Sequence, residues 1–123
     1  MTAYYDEEPK KLSEVGNGSY RYVFNVEEKI DISDDGDVRH EWKAEEIVIY
    51  PPLSSNALIK AVIEEYYGSD KELKLVNEYN AATMGLILSP EKENVIKRYK
   101  DFLTKRASLK QMVEADCKEL GIK

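Results

Sequence analysis

One cysteine and one histidine in 123 residues exclude several chemistries before any pattern is read. Cys117 has no second thiol, which rules out an internal disulfide and a cysteine-rich zinc site and makes a reducing compartment the simplest setting. His40 has neither a second histidine for zinc nor a nucleophile beside it in the chain. Long apolar runs are lacking as well. The first residues, Met1 to Pro9, place Asp6, Glu7 and Glu8 where a signal peptide needs basic charge before an apolar stretch, so neither export by that route nor membrane insertion is expected. A cytoplasmic location follows as the expectation. Gly16-Asn17-Gly18 lacks the third glycine and the following helix of a phosphate-binding loop.

What is present suffices for one folded domain. The chain is 42% hydrophobic and 10% aromatic, enough apolar material for a core despite 34% charge, and its length fits a single domain. A net charge of -6 argues against whole-surface attraction to nucleic acid or anionic membrane. The charge is uneven. Residues 90–123 hold nine basic and six acidic side chains, whereas residues 1–89 hold nine basic and 18 acidic.

Residues 1–18 show no apolar period and few strand formers, so they read as a flexible lead-in to a single domain over 19–123. Asn17-Gly18-Ser19 then reads as a turn. From Ser19 the pattern alternates, with Tyr20, Tyr22, Phe24, Val26, Ile30 and Ile32 on even positions. A second alternating run carries Val38, His40, Trp42, Val48 and Tyr50, although Ile47 and Ile49 blur its far end. Ser33-Asp34-Asp35-Gly36-Asp37 between them suits a hairpin turn, which gives a long antiparallel β-hairpin over 19–51 closed by Pro51-Pro52. An isolated hairpin is marginal in water, so its even-numbered aromatic face is expected to pack on the rest of the fold or on another chain.

Everything after Pro52 reads helical. Ser54 or Ser55 caps a helix over about 55–67, ended by Gly68, and Ser69 or Asp70 opens a second over about 70–88. Ser89-Pro90-Glu91 starts a third that runs to about residue 120, with Val95, Tyr99, Phe102, Arg106, Leu109 and Val113 forming a seam at steps of four and three. The expected fold class is α+β, a β-hairpin followed by three α-helices.

Tests for chemistry find no convergent centre. Asp31, Ser33, Asp35 and Gly36 match the first, third, fifth and sixth places of a helical calcium loop, but the twelfth is Trp42 and the flanks are strand-like. Asp116 beside Cys117 raises rather than lowers a thiol pKa. Lys97, Arg98, Lys100, Lys105, Arg106 and Lys110 spread around their helix and form no stripe for phosphates. No catalytic residue, metal ligand or cofactor site is expected. The candidate interaction surface comprises Tyr20, Tyr22, Phe24, Trp42 and Tyr50 on the hairpin and Lys97, Arg98, Lys105 and Arg106 on the third helix.

Two stretches, Lys74-Leu75-Val76-Asn77-Glu78-Tyr79-Asn80-Ala81-Ala82 and Tyr99-Lys100-Asp101-Phe102-Leu103-Thr104-Lys105-Arg106-Ala107, with the ending Val113-Glu114-Ala115-Asp116-Cys117, carry a resemblance. Over residues 19–123 the chain resembles small uncharacterised proteins encoded in phages and prophages of gut anaerobes. It is loosely similar to the helical end of tail-fibre assembly proteins. The resemblance implies a setting near tail or virion genes and supplies no catalytic residue. The expected function is therefore a non-enzymatic, virion- or tail-associated protein, or an assembly accessory, that binds a protein partner or itself. The alternative is a small nucleic-acid-binding regulator using the basic third helix.

Overall fold

Alternation in the two aromatic runs produces the longest strands of the molecule. The computed structural model, which describes residues 1–123, has the strands β1 (Thr2–Tyr5), β2 (Leu12–Glu14), β3 (Tyr20–Ile32) and β4 (Val38–Ile49). The helices α1 (Ser55–Tyr66), α2 (Ser69–Thr83) and α3 (Glu91–Leu120) follow. The fold is α+β: a four-stranded antiparallel sheet in the order β1-β4-β3-β2, then three helices.

Residues 1–18 correct the expectation of a flexible lead-in. β1 pairs with β4 over Thr2–Tyr5 and β2 pairs with β3 over Leu12–Glu14. Short edge strands need little intrinsic propensity when a long neighbour already presents ordered N–H and C=O groups. Because β1 and β2 lie on opposite edges, residues 6–11 must cross β4 and β3. Three strand spacings amount to about 14 Å, within reach of six residues. The helices occupy one face, so the crossing runs over the other. It accounts for the burial there of Val23 and Ala44, 2% and 1% exposed.

The core lies between the sheet's inner face and α1 with the C-terminal half of α3. Tyr22, Phe24, Ile47 and Ile49 from the sheet meet Leu58 and Val62 from α1 and Leu109, Val113 and Cys117 from α3. The third-helix seam is thus an internal one. Its Arg106 side chain makes no ion pair and lies on the surface, where the seam reaches solvent beside Ile63 and Glu72. The N-terminal half of α3 packs on α2 instead, with Tyr99 stacked on Tyr79 at 4.3 Å, and Phe102 lies edge-on to Tyr67 at the end of α1 at 4.7 Å.

Local signals set most helix ends. Ser54 Oγ accepts the Ala57 N–H at 3.1 Å and opens α1. Gly121, at φ 74°, closes α3 while the Ile122 N–H returns to the Cys117 carbonyl at 2.8 Å. The second helix stops five residues earlier than its apolar rows imply. Gly85 adopts a left-handed φ of 78° and the Leu86 N–H bonds back to the Ala81 carbonyl, so Leu86 and Leu88 leave the helix and stand exposed. At the start of α3, the Ser89 hydroxyl donates to the Glu93 carboxylate rather than capping a backbone N–H, and Pro90 is the N-cap.

Candidate interaction site

Strand pairing decides which apolar residues are buried. Before residue 25, even residues of β3 face odd residues of β4: Tyr20 pairs with Ile49, Tyr22 with Ile47 and Phe24 with Glu45. A bulge then intervenes between Phe24 and Glu27, with Asn25 at φ 53°. Beyond it Glu28 pairs with Trp42, Ile30 with His40 and Ile32 with Val38, even against even. The extra residue shifts the side-chain phase of β3 by one. Because β4 runs on without interruption, its odd row, Ile47 and Ile49, faces the helices and its even row faces away.

The expected continuous even face therefore splits. Tyr22 and Phe24 are 0% and 2% exposed in the core, and Tyr20 packs half-buried against them. Tyr22 and Phe24 are therefore core residues and not part of an interaction surface. Ile30, Ile32 and Val38 lie on the outer face of the sheet and are 59%, 73% and 58% exposed. Trp42 sits at the root of this row, half-buried, with the His40 ring stacked 6.2 Å away and His40 Nδ1 2.8 Å from Glu28 Oε1. Tyr50 lies beyond the end of β4 and is exposed.

Residues 26–43 form a two-stranded ribbon that projects beyond its supports. β1 covers the β4 edge only from Trp42 to Glu45, and β2 covers the β3 edge only from Tyr20 to Tyr22. The inner face of the ribbon carries Glu27, Lys29 and Asp31 beside Arg39, Glu41 and Lys43, all charged. The inner face is salt-like, and the outer face is apolar apart from the Glu28–His40 pair. Such alternation is what a half-buried strand shows, yet the apolar side lacks a cover.

The turn at its tip is built by Ser33 and Gly36. The Gly36 N–H donates to the Ser33 carbonyl at 2.9 Å, and Gly36 has a φ of 83°. The Ser33 hydroxyl donates to Asp35 and holds that carboxyl below its usual range. No group of three or more His, Cys, Asp or Glu side chains is placed to hold a metal ion.

The remaining polar groups tie the molecule together. Buried Tyr22 donates its hydroxyl to Asp116 on α3, and desolvation with that carboxylate pushes its pKa far up. Lys11 Nζ reaches Asp116 Oδ1 at 3.0 Å and also pairs with Glu119, so the N-terminal strap is fastened to the last helix. On the outer face Tyr5 donates to Glu46, and burial together with this bond raises its pKa to about 12. Arg21 Nε, buried without a hydrogen-bond partner, lies 3.6 Å from the same Glu46. Burial and Asp116 push the Cys117 thiol up, the opposite of activation.

The basic residues of α3 do not converge. Lys97 pairs with Asp101, Arg98 with Glu78 and Glu91, and Lys105 lies 4.9 Å over the Tyr66 ring. A recess of about 430 Å³ opens beside the bulge between Asn25, Glu27, Lys43, Glu45 and Tyr66. Its charged walls do not resemble an apolar small-molecule pocket. No helix is long and apolar enough to cross a membrane. Comparison with known proteins finds no matching family model, no matching curated relative and no matching solved structure.

The rephased ribbon is the feature that sequence reasoning missed. Its signal was the conflict of phase inside β4, where Ile47 and Ile49 are odd while His40 and Trp42 are even.

Proposed function

We propose that the chain is a non-enzymatic binding protein that engages another macromolecule through the outer face of its distal ribbon. One observation carries this reading. The bulge at Asn25 turns Ile30 and Ile32 away from the helices and onto the outer face, where they join Val38 of β4 in one exposed apolar row. Leaving such a row in water gains nothing for the monomer, since burial of apolar area stabilises only where a surface is removed from solvent. The polar clusters support the same reading, because each ties one part of this chain to another. The resemblance of residues 19–123 to prophage-encoded proteins favours a setting among virion or tail components.

The test is co-purification of the tagged chain with tail proteins and particles of the element that encodes it. Ile30→Ser/Ile32→Ser should lose that association while keeping the wild-type melting temperature. Undiminished co-purification by this variant would overturn the reading.

A further inference from the structure

We propose that the distal ribbon docks on the helical arm of a second copy of this chain, in a head-to-tail contact. The proposal rests on the reading of the ribbon as a docking surface, and it names the partner.

Charge argues for this pairing. Residues 26–43 hold seven acids, at 27, 28, 31, 34, 35, 37 and 41, against three bases, at 29, 39 and 43, a net charge of -4. Residues 69–110, which run from α2 to two-thirds of the way along α3, hold nine Lys or Arg against six Asp or Glu, a net charge of +3. The inner face of the ribbon cancels, three acids against three bases, so the excess lies in Glu28 on the outer face and in Asp34, Asp35 and Asp37 in the turn. Two ribbons laid face to face would bring these acids together, so a two-fold ribbon-to-ribbon contact is repelled. Ribbon against helical arm is attractive, and Lys92, Lys100 and Arg106 on that arm have no acidic partner within their own chain.

The helical arm also offers an apolar counterpart. Met84, Leu86 and Leu88 at the α2–α3 connection are 72%, 74% and 78% exposed, and Leu103 is 45% exposed on α3. Ile96 and Leu103, seven residues apart, share one flank of α3 with Lys92 and Lys110. That flank mixes aliphatic and cationic groups, whereas the outer face of the ribbon is aliphatic and is flanked by acids, Glu28 at its root and Asp34, Asp35 and Asp37 in the turn. The two surfaces differ, so docking one pair leaves a free ribbon on one copy and a free arm on the other. Such a contact propagates to a ring or an open filament rather than stopping at a dimer. The six ribbon residues of each strand span about 20 Å, which places the contact at the small end of protein interfaces and makes association weak and dependent on concentration.

The experiment is sedimentation of the full chain from micromolar to millimolar concentration, at low and high salt. The expected wild-type result is a weight-average mass rising past twice the 14.2 kDa monomer and falling as salt screens the charges. Two variants at exposed positions then separate the halves of the contact, with folding checked by circular dichroism. Ile30→Ser/Ile32→Ser removes the ribbon surface, Leu86→Ser/Leu88→Ser removes the arm surface, and each alone should stay monomeric. Mixed in equal amounts they should form a one-to-one dimer that does not grow, because one supplies the arm and the other the ribbon. A wild type that remains monomeric at all concentrations overturns the proposal. So does an arm variant that associates like wild type with no rescue on mixing, the signature of ribbon-to-ribbon pairing. If the chain is monomeric but Ile30→Ser/Ile32→Ser still loses its tail-protein association, the second copy is excluded and the docking surface stands. If that variant keeps the association, the docking reading itself falls.

Discussion

The two halves of the β3–β4 hairpin share strands and alternation, yet they meet opposite fates. The proximal half, around Tyr22, Phe24, Ile47 and Ile49, is covered by helices on its inner face and crossed by the N-terminal strap on its outer face. The distal half, around Ile30, Ile32 and Val38, is covered on neither. Alternation reports that one face of a strand is apolar. Burial depends on what the rest of the chain sets against that face, and one inserted residue at Asn25 is enough to send it the other way.

The largest test of this contrast truncates one aromatic in the proximal half and one aliphatic in the distal half. Phe24→Ala empties a packed site between the sheet and α1 and should cost about 3–5 kcal/mol in urea unfolding. Ile30→Ala should change stability by about 0.5 kcal/mol or less, because its side chain already meets solvent. Equal losses at the two positions would mean that the distal ribbon is buried in the folded monomer and would erase the distinction.

A smaller effect sharpens the account of what fastens the proximal half. Tyr22→Phe keeps the ring and removes the hydroxyl that donates to Asp116, with an expected loss of about 1–3 kcal/mol for a buried bond to a charged acceptor. The same site sets an alkaline limit. A tyrosine whose folded pKa is raised keeps its proton after the unfolded chain, titrating near 10, has begun to lose it. Its contribution is complete below about pH 10 and is lost as pH rises through the folded value. Tyr5, raised to about 12, and Tyr22, raised further, both act in this sense. The urea midpoint of the wild type should fall between about pH 10 and 12, and Tyr22→Phe should flatten that fall.

The sequence made some of this architecture legible and hid the rest for physical reasons. Ser54, Gly121 and the apolar rows of α1 and α3 act locally, through caps and i, i+4 contacts, so the three helices were readable along with the α+β class. β1 and β2 were not, because their pairing draws on a neighbour's free edge more than on their own residues. The candidate surface was half legible. Trp42 lies at the root of the exposed row, but Tyr22 and Phe24 went to the core, and Ile30 and Ile32 stand exposed beside Val38 because of a bulge whose only local mark is an asparagine that tolerates positive φ.

That asparagine gives the next effect in size. Asn25 Nδ2 donates to the Tyr66 hydroxyl at 3.1 Å while its backbone holds φ at 53°. Asn25→Ala loses the bond and replaces a residue that tolerates the left-handed region with one that does not, a combined cost of about 1–2 kcal/mol. Asn25→Gly loses the bond alone and should melt above Asn25→Ala in a thermal scan. If Gly and Ala melt together, the backbone at the bulge is not left-handed and the phase change there needs another origin.

The smallest expected effect is the most exacting. Ile30→Ser/Ile32→Ser changes two large side chains on a strand, a substitution that in the proximal half would unfold a marginal domain. On the outer face of the ribbon the unfolded and folded chains expose these side chains to similar degrees, so the transfer free energy nearly cancels. A stability change within about 0.5 kcal/mol is expected, together with an unchanged denaturant slope, because the surface exposed on unfolding is nearly the same. A loss of several kcal/mol would require a cover that the fold does not provide in one copy. If that loss grew with protein concentration, the cover would be intermolecular, since only association links stability to the amount of chain present.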